Sequence, residues 1–298
     1  MSEAIIDAHH HIWRLAELPW LTGPPVKRIF GDYEKLKFDY LAQHFMADVV
    51  PQGVVKSVYI QVNVAPGKEV DEARWVQSEA DRHGFPHAVA GFANLSDPNV
   101  AETLDRLAAG SNLKSIRQQL HWHENPQYRF AARPDTMNDP LWRNNLAAVA
   151  ERGLVFDLQV FMGQAEHAEN LVAAFPGLTF ILTHAGMPEE LTPDGMAHWR
   201  AGLARLAAHP NVAVKLSGFG TFIHCNDAAH VKTIVHETVQ TFGPDRCLFG
   251  SNFPIEKLWT DYGSLLADHL AATEAYPTMA RAAIFGGTAT RLYRLDLP

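Results

Sequence analysis

Short apolar runs and amphipathic stretches alternate along the whole chain. The runs near 5–12, 54–62, 87–95, 113–120, 155–161, 178–184, 212–218 and 246–251 are dense in Val, Ile, Leu and Phe. Their length and composition read as strands buried on both faces. Between them the apolar positions recur at helical spacing, over 38–50, 69–83, 139–152, 164–175, 196–208 and 227–242, and again near 260–275 and 277–293. Another helix opens at Asp97-Pro98 and stops at Gly110. The helix at 139–152 has Asp at its cap and Pro directly after it, and the one at 69–83 is followed by Gly84, as helix starts and stops prefer. Two segments carry no periodicity, 14–37 and 121–138, and read as long loops.

Eight strand–helix units in succession, without repeat or linker, favour a single (β/α)8 TIM barrel over residues 1–298, with long loops after strands one and four. An open doubly wound sheet would carry a glycine-rich phosphate loop after its first strand. Here that place holds His9, His10 and His11. Side chains alternate along a strand, so His9 and His11 share a face and His10 takes the other.

The barrel fold places chemistry at the C-terminal ends of its strands. Those ends carry His9 and His11, Gln61 and Asn63, Asn94, Arg117 and Gln119, Gln159, His184, Lys215 and Ser217, and Asn252. Polar groups that follow apolar runs at eight strand ends are costly to bury unless they line one solvated pocket. Neutral imidazole is a common metal ligand, which makes the His9/His11 pair a candidate half-site. Asp7 is expected to serve folding rather than chemistry.

Composition narrows the class. The net charge is −8 with no basic cluster, which argues against nucleic acid or an anionic membrane surface as partner. There is no run of about 18 apolar residues and no basic-then-apolar leader. Two cysteines, Cys225 and Cys247, are too few for a disulfide framework, so the expectation is a cytoplasmic protein. The expected partner is a small molecule, and self-association is left open.

The motifs DAHHHIW, SIRQQL, LTHAGMP, KLSGFG and FGSNFP, in this order and at these strands, resemble the amidohydrolase superfamily. Within it the chain is similar to the amidohydrolase-2 branch, which contains sugar-acid lactonases and 2-pyrone-4,6-dicarboxylate lactonase. The resemblance implies that His9, His11 and His184 polarise a lactone carbonyl, directly or as ligands of one divalent ion, zinc first among candidates. Arg117 then holds an anionic or polyhydroxy substrate, with Lys215, Gln159, His123 and Trp13 as further substrate-binding candidates. Strand four offers Arg117 where other branches bridge two metals, so at most one ion is expected. Metal-independent hydrolysis is also within the branch. At strand eight the usual catalytic aspartate is replaced by Asn252, whose amide has no basic site near neutral pH. His184, His121, His123, His224 and Glu256 are the alternative proton acceptors. The implied activity is hydrolysis of a small sugar-acid or dicarboxylate lactone. A metal-dependent decarboxylase or hydratase, or a catalytically impaired binding relative, are the rival readings.

Overall fold

The structure is a computed structural model that describes residues 4–295. Eight parallel strands form one sheet in sequence order: β1 (Ile5–His10), β2 (Val54–Ile60), β3 (Ala88–Gly91), β4 (Leu113–Gln119), β5 (Val155–Gln159), β6 (Phe180–Leu182), β7 (Val212–Leu216) and β8 (Cys247–Phe249). Helices connect them, as the alternating pattern predicts. The helix Glu69–His83 ends on Gly84 at φ 79°, and Asp139 caps the helix Pro140–Glu151 by accepting from the backbone of Leu141 and Trp142. The sheet closes on itself just beyond β8. Asn252 N donates to His9 O at 2.7 Å, and His11 N donates to Phe253 O at 2.7 Å.

The segments after β1 and β4 are long. Residues 11–41 contain only short helical turns before the helix Ala42–Val49, and residues 120–139 likewise precede the helix at 140. The expected helix over 277–293 is interrupted. It runs Thr278–Ala282, passes through a π turn at Ala283–Gly287, and resumes as Thr288–Tyr293. Ala289, Tyr293 and Leu295 pack with Ile6, Ala8, Val58, Ile60, Val155, Ile181 and Ala213 in one buried cluster inside the barrel. Above that layer the interior turns polar. Among the described residues, no helix is long and apolar enough to cross a membrane.

One irregularity in β1 decides the site. Asp7 pairs with Ser57 and His10 with Tyr59, so three residues of β1 span two of β2. The extra residue is a bulge, which re-aims the side chains beyond it. Strict alternation would put Asp7, His9 and His11 on one face. With the bulge, Asp7 instead reaches Tyr262 of the outer helix Tyr262–Ala272, its Oδ2 accepting from the tyrosine hydroxyl at 3.0 Å. Its Oδ1 also accepts from the backbone of His9 at 3.1 Å and of Ser251 at 2.9 Å.

Candidate active site

A cavity of about 240 Å³ opens at the C-terminal end of the barrel. His11, Arg117, Gln159, His184 and Asn252 line it, and Trp13 forms part of its wall. These six expected residues come from β4, β5 and the segments after β1, β6 and β8, so the strand ends do converge.

The three histidines stand together. The His9 ring lies 4.6 Å from that of His184 and 5.2 Å from that of His11, centroid to centroid. His9 is fully buried beneath the cavity floor, and both of its ring nitrogens lack a hydrogen-bond partner. His11 sends Nδ1 to the carbonyl of Ile60 at 2.7 Å. A carbonyl only accepts, so Nδ1 carries the proton and Nε2 keeps its lone pair. His184 places Nδ1 2.8 Å from Ser217 Oγ. Burial, with the positive charge of Arg117 or Lys215 next in weight, lowers all three histidines below the ordinary imidazole value; His11 falls to about 3. They are neutral at physiological pH. His10 faces outward, as alternation predicts, and stacks on Phe45 with ring centroids 3.7 Å apart.

The backbone carries local strain at the same places. His184, Ala185 and Met187 have left-handed φ values of 54°, 49° and 57°, and Asn252 has 58°. Such conformations in non-glycine residues cost about 1–3 kcal/mol each and concentrate at functional sites. Gly218 makes the His184 position available, since a Cβ there would sit 2.5 Å from Nδ1 of His184.

Arg117 is buried and pairs with no carboxylate among the described residues. Its guanidinium donates to Gln159 Oε1 at 3.2 Å and to the Gln61 carbonyl at 2.5 Å, while Nε is left without a partner. Burial lowers it to about 10, so it remains a cation at neutral pH. Lys215 departs from the expectation of a substrate contact. It is fully buried in the barrel interior and paired with Asp157, which also accepts from Ser115 Oγ and Tyr293. It does not line the cavity. The cause is a matching inward position on β5, where Val155, Asp157 and Gln159 share the face that Ala213, Lys215 and Ser217 share on β7. His123 also stays off the cavity wall, its ring packed against Tyr128 and Phe161. Its neighbour His121 lines the cavity instead and is lowered to about 3 by burial and Arg117. Parity could have found it, because 115, 117, 119 and 121 continue one face. Arg28, Gln61 and Tyr128 also line the cavity, and Arg28 comes from an irregular loop that no periodicity marks.

Asn252 sits between His11 and Glu256. Its Oδ1 lies 3.4 Å from His11 Nε2 and its Nδ2 lies 3.3 Å from Glu256 Oε1. Glu256 is buried behind Asn252 and does not line the cavity; burial raises it to about 8. His224, another alternative acceptor, is turned to the carbonyl of Ile29 at 3.0 Å.

The donor set suits a divalent ion in its chemistry. It offers neutral imidazoles, two orphaned nitrogens on His9, and a backbone carbonyl holding the far side of His11, as ligating histidines are commonly held. It is not a preformed cage. Among the described residues, no three His, Cys, Asp or Glu side chains stand in an arrangement that would hold an ion as they are.

Comparison with known proteins agrees with the barrel and the motifs. The family described as amidohydrolase matches residues 6–295. A Sinorhizobium fredii protein, "Uncharacterized protein y4mH", is 35% identical over 98% of this chain and 99% of its own. An L-fucono-1,5-lactonase of Burkholderia ambifaria is 29% identical over 98% of this chain and 96% of its own. The crystal structure of an amidohydrolase from Burkholderia multivorans with bound zinc superposes with a TM-score of 0.82 at 27% identity, covering 98% of this chain and all of that one. With the family profile spanning nearly its full length and the five motifs at their strand ends, the chain belongs to the amidohydrolase family.

Proposed function

We propose that this amidohydrolase opens a small lactone carrying a carboxylate or several hydroxyls. The observation that carries the reading is the pairing, in one cavity, of neutral imidazoles with a buried guanidinium that has an unused donor. Similarity to L-fucono-1,5-lactonases supports the lactone class. Arg117 binds and orients the substrate: its guanidinium at the cavity wall meets a carboxylate or hydroxyl oxygen, and part of its cost of burial is already met by Gln61 and Gln159. Trp13 and Tyr128 flank the ring and exclude water from one side of it. His184 handles the proton. With Nδ1 held on Ser217, Nε2 is left to take a proton from the attacking water and return it to the ring oxygen as the ester bond breaks. The negative charge that develops on the carbonyl oxygen favours the imidazolium and offsets the burial that disfavours it. A divalent ion, zinc as in the B. multivorans neighbour, would be held by His9, His11 and His184 and would supply Lewis acidity at the carbonyl; with it bound, His184 Nε2 would be a ligand and not the proton acceptor.

The test is a panel of sugar-acid and carboxylated lactones, followed by a pH-indicator assay on chelated and zinc-supplied protein. Turnover of at least one lactone well above the buffer rate is expected. Failure on every lactone, alongside thermal stabilisation by the same compounds, would favour the second reading. In that reading Asn252 marks a chain that keeps the pocket as a binding site without the strand-eight base.

A further inference from the structure

Three successive peptides at the end of β2 hold three side chains of the cavity. The carbonyl of Ile60 accepts from His11 Nδ1 at 2.7 Å, that of Gln61 accepts from the Arg117 guanidinium, and that of Val62 accepts from Trp20 Nε1 at 2.8 Å. A trans peptide is planar, so its N–H points opposite to its C=O. Whatever holds each N–H therefore aims the carbonyl of the same peptide. The Ile60–Gln61 peptide is held by the sheet, with Gln61 N donating to Ala90 O on β3 at 3.0 Å. The Val62–Asn63 peptide is held by its own turn, with Asn63 N donating to Gln61 Oε1 at 2.7 Å. The middle peptide, Gln61–Val62, lies past the last paired residue of β2, and its N–H is taken by an outer helix: Val62 N donates to Glu72 Oε1 at 2.7 Å.

We infer that Glu72 is a positioning residue for Arg117 and acts through the Gln61–Val62 peptide. The carboxyl outside the barrel and the guanidinium inside it hold opposite ends of one peptide plane, so the first sets the direction of the carbonyl on which the second rests. Each bond polarises the amide and strengthens the other. The guanidinium's other protein contact, Gln159 Oε1 at 3.2 Å, is the longer one, so the Gln61 carbonyl is its firmer anchor. The position of Glu72 in the sequence agrees. It stands on the buried face of the helix Glu69–His83 with Val70, Ala73 and Val76, and no cation is paired with it among the described residues. A carboxyl in such a stripe is costly unless its oxygens are used. Oε1 also accepts from the Tyr59 hydroxyl at 2.8 Å, a bond that ties the helix to β2 without touching the Gln61–Val62 peptide. A structural tie and a positioning contact thus meet on one oxygen and can be separated by substitution. How Arg117 is held is independent of the lactone reading; that it meets the substrate rests on that reading.

The experiment compares ¹⁵N-arginine spectra and melting temperatures of the parent, Glu72→Gln, Glu72→Met and Tyr59→Phe. The Arg117 Nε–H signal is assigned as the one missing from Arg117→Lys. Glu72→Gln keeps an oxygen for the Val62 N–H and should keep the parent's Arg117 signal. Glu72→Met fills the same space without an acceptor and should move or broaden that signal. Tyr59→Phe removes only the tie, so it should lower the melting temperature and leave the Arg117 signal in place. An Arg117 signal unmoved in Glu72→Met would overturn the inference and leave the carboxyl as a structural tie, as would a signal moved equally by Tyr59→Phe. If Glu72→Met does not fold, Glu72→Asp, whose carboxyl falls one methylene short of Val62, takes its place with the same expected shift. On a carboxylated lactone that the parent turns over, Glu72→Met should raise KM with kcat kept, and should add nothing in an Arg117→Ala background. An unchanged KM beside a moved Arg117 signal would count against Arg117 as the substrate contact, and so against the lactone reading, while the positioning by Glu72 stands.

Discussion

Asn252→Asp tests how this site manages without the aspartate that the family resemblance leads one to expect at strand eight. A positioned base is worth about 10²–10⁴-fold in rate, roughly 3–5 kcal/mol. The structure sets an opposing effect of the same size. A carboxylate in the place of the amide would lie 3.4 Å from His11 Nε2, and by Coulomb's law at an effective dielectric of 20 it would favour imidazolium there by about 5 kcal/mol. It would also lie 3.3 Å from Glu256, and two carboxylates so close cannot both ionise. Glu256, the more buried of the two, keeps its proton and donates it as a hydrogen bond to the new carboxylate. That carboxylate is then held by an acid on one side and an imidazolium on the other, and it is a poor acceptor for the proton of water. The expected outcome is a kcat/KM unchanged or lower, with a new limb in the pH–rate profile as His11 titrates nearer neutral pH. The assay is the profile of both forms on one lactone. A gain of two orders of magnitude in the aspartate form would refute the reasoning.

Three further outcomes are expected. Arg117→Ala should lower kcat/KM by about 2–5 kcal/mol, or from roughly 30-fold to several thousand-fold, on a carboxylated lactone; a change within threefold would remove Arg117 from the substrate site. Lys215→Met leaves Asp157 buried with only Ser115 and Tyr293, and should cost about 3–5 kcal/mol in urea unfolding; a loss below about 1 kcal/mol would mean that the pair is not holding the barrel interior. Stability should peak in mildly acidic solution. Above about pH 6.5 it falls as pH rises, because Glu72 and Glu256, raised to about 7 and about 8, bind protons in the folded chain that the unfolded chain has released. Below about pH 4.5 it falls as pH drops, because His9, His10, His11, His121 and His184 are all lowered, and the unfolded chain binds protons that the folded one refuses. Melting temperatures from pH 3.5 to 9 check both limbs, and a flat curve would contradict the burial argument.

The barrel is legible because most strand positions are buried and so appear in the sequence as short, mainly apolar runs between amphipathic helices. His9, His11, Arg117 and His184 were legible for the same reason: each is a polar residue at the end of such a run. The burial of Lys215 is hidden in the sequence because its partner Asp157 lies 58 residues away on another strand, and only following the inward face of both strands puts the two together. The bulge in β1 left no mark, since it needs no special residue, yet it is what separates Asp7 from the histidine pair. The left-handed backbone at His184 and Asn252 was equally silent, because neither is glycine.

The carboxyl of Asp7 has a consequence for the mechanics of the barrel. Where β1 should pair with β8, the ring is fastened by two backbone bonds just beyond the strand and by one side chain that accepts from both sides of the seam and from the helix outside them. The other seven seams are ladders of backbone bonds, each distributed over several residues. The eighth is closer to a buckle, and a single substitution at Asp7 removes its side-chain half. Opening there would carry His9, Ser251 and Asn252 apart together, so the hoop and the reactive centre share one point of failure. Amides of His9 and Ser251 should accordingly be the reporters that lose hydrogen-exchange protection first when Asp7 is changed to alanine.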